Sequence, residues 1–262
     1  MSRTLDALRR AEAETKRNQP KLLDSEPSVS EVFEEAPDSE CLTIELQPGP
    51  SVEEKYQKLR GALFGRSNTE RIKTLLVVAS NHGEGATTTA TFLASVLAKA
   101  NGSRVLLVDA NLRTPSPLSL SWHQLDRGSQ GFTELVLGKA LLNAVVRQAS
   151  SMGSNLSVIT SGGAVPSPSY IFDGHSIDAV LEALVQRYDY VILDGAPVKD
   201  FSDSCFLSSR VDGTVIVVEA GKTRLETVRG TKSQLERYGA KVLGTVFNKK
   251  PNYIPGFLER FL

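Results

Sequence analysis

From about residue 51 onward, the chain alternates short runs that are apolar at nearly every position with longer stretches whose apolar residues recur every third or fourth place. The short runs are TLLVVAS (74–80), VLLVDA (105–110), LSVITS (156–161), YVILDG (190–195), TVIVVEA (214–220) and VLGTVFN (242–248). A strand that is apolar on both sides belongs in a parallel sheet covered by helices on both faces. The stretches between, notably 87–100, 132–149, 175–187 and 223–238, have helical length and period. Ahead of the first run, SVEEKYQKLRGALF opens with Ser51 three residues before Glu54, a capping-box pattern, and sets Tyr56, Leu59, Leu63 and Phe64 near one face, which predicts a leading helix. The expected fold is α/β, a doubly wound and mostly parallel sheet of about six or more strands, with ligands at the carboxyl ends of those strands. No internal repeat is visible.

The ends of the chain read differently. Residues 1–18 are rich in Ala, Arg and Glu, with only Leu5 and Leu8 as an apolar stripe, and predict a short solvated helix. Residues 19–50 carry eight acidic residues against one lysine and five prolines, and such a segment cannot bury enough apolar surface to offset its ordering entropy. It reads as an acidic flexible linker, so a disordered N-terminal tail precedes a folded domain at 51–262. At the far end, Ile254, Phe257, Leu258, Phe261 and Leu262 form one helical stripe, expected to dock on the domain itself because the polar face lacks the lysines an anionic membrane would select.

Thirty basic and thirty acidic residues balance, so no global field draws the chain toward nucleic acid. The stretch 221–241, with six basic residues against two acidic, reads as a solvated helix face. Cys41 and Cys205 lack metal-ligand spacing or a disulfide framework and suit a reducing compartment. No run approaches the ~20 apolar residues of a membrane span, and the first residues lack the apolar core of a signal peptide. A cytoplasmic protein is expected. Trp122 and His123 read as packing or surface residues.

Candidate chemistry begins where TLLVVAS runs into NHGEGATTT and then a helix, the strand, glycine turn, helix order of a phosphate-binding loop. This makes the sheet one of P-loop NTPase type. Gly83 and Gly85 let backbone amides close around phosphate, and the helix N-terminus adds partial positive charge. On the pattern G-x-x-x-x-G-K-[ST], Ser80 holds the first position, Gly85 the second glycine, Ala86 the lysine and Thr87 the hydroxyl. Losing one charge-assisted bond of about 1.5–3 kcal/mol weakens nucleotide affinity roughly 10- to 150-fold. Two further strands end in acids, Asp109 in VLLVDANLRTPS and Asp194 in YDYVILDGAP; such carboxylates hold magnesium or orient the attacking group, though a lone strand-end Asp is more often a turn cap.

Taken in order, EKYQKLRGAL, HGEGATT, VDANLRTP, YDYVILDGAP, the Ser202–Asp203 step, TVIVVEAGKTR and GTVFNK resemble the cytoplasmic tyrosine kinases of bacterial capsule and exopolysaccharide systems, relatives of the partition and division-site ATPases. The resemblance covers residues 1–255. It implies ATP or ADP with magnesium as cofactors, held by Gly83, Glu84, Gly85, Ala86, Thr87, Thr88, Arg113 and Asn248, the last at the position that contacts the base. It implies metal binding at Thr87, Asp109 and Asp194, chemistry at Asp109, Asn111 and Asp194, and a tyrosine tail here reduced to Tyr253. It also implies an inner-membrane polysaccharide co-polymerase or export protein as partner, and a homo-oligomer formed through Glu54, Gln57 and Arg60.

The sequence departs from the family pattern at four places. Ala86 replaces the loop lysine, His82 a proline, Asn111 the second aspartate of V-D-x-D, and Gln57 the first arginine of the leading-helix motif. Asn111 cannot act as a carboxylate base for a tyrosine hydroxyl. The expected function is therefore a pseudokinase regulating polysaccharide biosynthesis or export. Two alternatives stand beside it: an active ATP-dependent tyrosine autokinase in which Arg113 substitutes for the missing cation, and a partition-type ATPase positioning cargo.

Overall fold

The computed structural model describes residues 50–65, 72–100, 102–113, 130–149, 152–163, 165 and 168–250. The expected N-terminal helix, nearly all of the acidic linker, Trp122, His123, Tyr253 and the C-terminal stripe lie outside the described residues.

The elements run α1 (Pro50–Phe64), β1 (Thr74–Ala79), α2 (Ala86–Lys99), β2 (Val105–Asp109), α3 (Phe132–Val136), α4 (Leu142–Val145), β3 (Val146–Gln148), β4 (Leu156–Ile159), α5 (Ser169–Asp173), α6 (His175–Arg187), β5 (Tyr190–Asp194), α7 (Asp203–Ser208), β6 (Gly213–Glu219), α8 (Leu225–Arg237) and β7 (Val242–Asn248). The seven strands form one sheet in the order β3-β4-β2-β5-β1-β6-β7. Every pairing is parallel except β3 with β4, which is antiparallel. The chain leaves β1, passes to β2, and returns with β5 between the two before crossing β1 to β6. The loops after β1, β2 and β5 therefore meet at one rim, where a doubly wound sheet binds its ligands.

Alternation along each strand accounts for the uniformly apolar runs. Leu75, Val77, Ala79, Leu107, Ile192 and Val217 face one side, beneath Ala90, Leu93, Ala94 and Leu97 of α2 and, outside them, Tyr56, Leu59, Leu63 and Phe64 of α1. Leu76, Val78, Leu106, Val108, Leu193 and Val218 face the other, beneath Phe132, Phe172, Ile177, Leu184 and Leu235. A side chain of that size gains about 1.5–3 kcal/mol on burial, so each face holds its own helix layer in place. The Tyr56 ring packs at a tilt against Phe92 at 5.3 Å and Phe64 meets Tyr190 edge-on at 5.0 Å, which fixes the middle and the end of α1 against the body.

Helix α1 starts at Pro50, and proline at a first helical position forfeits no hydrogen bond. Glu54 is bonded to Lys58 at 2.7 Å, one turn on. One expectation is corrected: 132–149 is not a single helix. Gly138, at φ +65°, follows the short α3, and Val146–Gln148 then leave α4 as a strand on β4, with Val146 opposite Ile159. Left-handed backbone of this kind interrupts a helix whatever the period of its flanks.

Candidate nucleotide site

The glycine loop is built by its own torsions. Gly83 and Gly85 have φ +78° and +95°, and among described non-glycine residues only Lys249 has a positive φ. Backbone that alternates in sign at Gly83, Glu84 and Gly85 brings successive amides to one side, the concavity in which anions sit. At Gly85 the φ of +95° strains any side chain, and a Cβ would also lie 2.1 Å from Asn248 Nδ2. Helix α2 begins directly behind it, at Ala86.

Side chains brace this loop from outside. The Glu84 carboxylate, 3% exposed, accepts from the backbone N–H and side-chain amide of Asn81, at 2.9 and 2.8 Å, and from the Thr223 hydroxyl at 2.5 Å. Its carbonyl accepts from Asn248 Nδ2 at 3.0 Å, and the Gly83 carbonyl from Lys249 Nζ at 2.6 Å. Glu84 thus contributes backbone to the cradle and spends its side chain on internal bonds. Ala86 is buried in the core cluster around α2.

The acidic strand ends face each other. Asp109 and Asp194 are direct partners in the β2–β5 register, each 3% exposed. The amide of Asn111 donates to Asp109 Oδ1 at 3.1 Å, and that of Ala110 to the Asp194 carbonyl at 2.9 Å. Past Asp194 the chain runs along the end of β1, where the amides of Gly195, Val198 and Lys199 donate to the carbonyls of Val77, Ala79 and Ser80. The three motif loops are stitched together by backbone. Burial first, and then the Asp109 charge, hold the Asp194 carboxyl well above its ordinary range, and a hydrogen bond with Thr87 pulls the other way. Asp194 Oδ1 is buried with no hydrogen-bond partner among the described residues. A buried, unsatisfied carboxylate oxygen beside a second carboxylate and a threonine hydroxyl suits a hard divalent cation. The residues present fit magnesium, and the glycine loop fits a phosphate group.

Arg113 sits elsewhere in this corner. Its guanidinium makes a two-point ion pair with Asp203, with Nη2 to Oδ1 at 3.1 Å, and lies over the Phe201 ring at 4.5 Å. Ser169 Oγ also donates to Asp203 Oδ1, at 2.5 Å. Reading the sequence singled out Arg113 and the Ser202–Asp203 step but not Ser169 and Phe201, which no motif marks. Thr223 and Lys249 lie within the stretches TVIVVEAGKTR and GTVFNK, but no role is assigned to either residue there. Thr88 follows Thr87 on the first turn of α2, and Glu54, Gln57 and Arg60 lie on α1, with Glu54 exposed and the other two half-buried. A hollow of about 350 Å³ lined by Lys73, Asp178, Glu182, Arg210 and Asp212 lies at the opposite, amino end of β1, away from these loops.

Residues 72–239 match the AAA domain family. The chain is 30% identical over 197 residues to tyrosine-protein kinase YwqD of Bacillus subtilis, covering 75% of this chain and 81% of that protein. Among solved structures, it is similar to the chimerical protein CapA2B2, with 25% identity, a TM-score of 0.71 and coverage of 82% of this chain and 96% of that one. It is similar also to the kinase domain of the Escherichia coli tyrosine kinase ETK, with 26% identity, a TM-score of 0.70 and coverage of 79% and 80%. Among the described residues, no helix is long and apolar enough to cross a membrane. On its AAA domain, its parallel sheet and these relatives, the chain belongs to the tyrosine-protein kinase family of bacterial capsule and exopolysaccharide systems.

Proposed function

We propose that this chain is a pseudokinase: a cytoplasmic, nucleotide-responsive member of the family that regulates capsule or exopolysaccharide biosynthesis or export through an inner-membrane chain-length or export partner. The observation that carries the reading is Ala86, a buried methyl at the lysine position of a loop whose cradle is otherwise intact. Phosphoryl transfer depends on charge placed at the outer phosphates, and removing one such group costs on the order of a hundredfold or more in rate. Binding depends on the whole cradle and tolerates the loss better.

In this reading the amides around Gly83, Glu84 and Gly85, with Thr87 and Thr88, receive the phosphates of ATP or ADP, and Asn248 lies on the base side. Thr87, Asp109 and Asp194 hold magnesium, which supplies charge neutralisation when bound. Asn111, an amide in place of an acid, takes no proton from a tyrosine hydroxyl. Arg113, bonded to Asp203, holds the second motif against the third, its charge already met by a carboxylate. Glu54, Gln57 and Arg60 on α1 form a surface for self-association.

Incubating the full chain with γ-labelled ATP and magnesium should leave no label on any tyrosine, Tyr253 included, while calorimetry detects binding of magnesium ADP. Robust tyrosine labelling would overturn the pseudokinase assignment.

A further inference from the structure

We propose that Lys249, with Asn248, is a positioning residue that aims the amides of the glycine loop at a bound anion, a task made heavier by the absence of the loop lysine. This deepens the nucleotide-binding reading and rests on it. The two residues hold consecutive peptide units of the loop: Lys249 Nζ donates to the Gly83 carbonyl at 2.6 Å and Asn248 Nδ2 to the Glu84 carbonyl at 3.0 Å. In a planar trans peptide the C=O and the following N–H point in opposite directions. Drawing both carbonyls toward the end of β7 therefore turns the Glu84 and Gly85 amides away from it, to the side where the alternating torsions form the concavity. An ammonium on the Gly83 carbonyl also polarises that peptide and strengthens its N–H as a donor.

Two further observations mark Lys249 as placed for this contact. It holds φ +52°, a left-handed conformation that disfavours any residue with a side chain and persists where surroundings impose it. Its carboxylate neighbour, Glu219 Oε2 at 3.5 Å, is shared with Lys222 at 3.3 Å, so among the described residues Lys249 has no carboxylate of its own. Asn248 Nδ2 also lies where a Cβ at Gly85 would fall, 2.1 Å from it, which ties the shape of the loop to the end of β7.

The test uses the full chain, wild type against Lys249→Met and Lys249→Arg, with inorganic tripolyphosphate and magnesium ADP as probes in calorimetry, and amide spectra of nitrogen-15-labelled protein without any anion. Lys249→Met should weaken both probes in parallel by about tenfold or more. It should also shift the Glu84 and Gly85 amide resonances and speed their solvent exchange, with the melting temperature nearly unchanged; Lys249→Arg should restore most of both effects. Loss of ADP alone would make Lys249 a base-side contact and overturn the inference, as would unchanged affinity or unchanged amides in Lys249→Met. If wild type binds neither probe, the nucleotide reading falls, and the amide comparison by itself decides whether Lys249 orients the loop.

Discussion

Asp194 and Asp203 sit at the same rim of the sheet and are equally hidden from water, at 3% and 2% exposure. Asp203 is met by the Arg113 guanidinium and the Ser169 hydroxyl. Asp194 is met by another carboxylate, Asp109, and by a threonine hydroxyl, and holds its proton far above the ordinary range. The first arrangement is a finished structural joint. The second has the shape of a site awaiting positive charge, because a buried anion without a cation is neutralised by a proton instead.

The comparison can be broken from either side. Arg113→Ala turns Asp203 into a second Asp194, a buried acid stripped of its cation, and should cost about 3–5 kcal/mol of stability, read as a lower midpoint in urea unfolding. A loss below about 1 kcal/mol would mean that Asp203 is satisfied without the arginine. Conversely, Ala86→Lys returns an ammonium to the loop position that the family pattern reserves for it. It should tighten magnesium ADP roughly 10- to 150-fold in calorimetry, and a gain under about threefold would place the defect of the site elsewhere.

The smallest effect sharpens the comparison. In the folded chain Asp194 is raised above its ordinary 3.8 by burial and by Asp109, so between those values the folded state holds a proton that the unfolded state has released. Stability therefore falls as pH rises through that window. Asp194→Asn has no proton to lose and should melt about 2–4 °C higher than wild type at pH 8, with the gap closing as the pH approaches 4. It should also lose the magnesium-dependent part of nucleotide binding. An equal gap at both pH values would show that Asp194 does not carry the burial cost.

Strand positions were legible because the fold makes them so: Val77, Leu107 and Ile192 are buried on one side of the sheet and their neighbours on the other, leaving no polar phase to mislead. The 132–149 stretch failed for the opposite reason. Its apolar residues suit a helix, and only the torsion at Gly138 and the edge of β4 dictate a break and an antiparallel strand. At the site, the loop glycines and both strand-end acids could be read in order, because spacing along the chain carries them. The Arg113–Asp203–Ser169 joint and the Lys249 contact join residues dozens of positions apart, and no local pattern encodes such a meeting.

The two edge strands of the sheet are unlike. At one, β3 offers three residues in an antiparallel stub, and Arg147 folds its guanidinium back onto the carbonyls of Ala144 and Val146. At the other, β7 runs for seven residues with β6 as its partner among the described strands, and Phe247 is 72% exposed. A short, charged border resists intermolecular zippering and a long one invites it. Of the two edges among the described strands, β7 is therefore the one from which misassembly on heating should start.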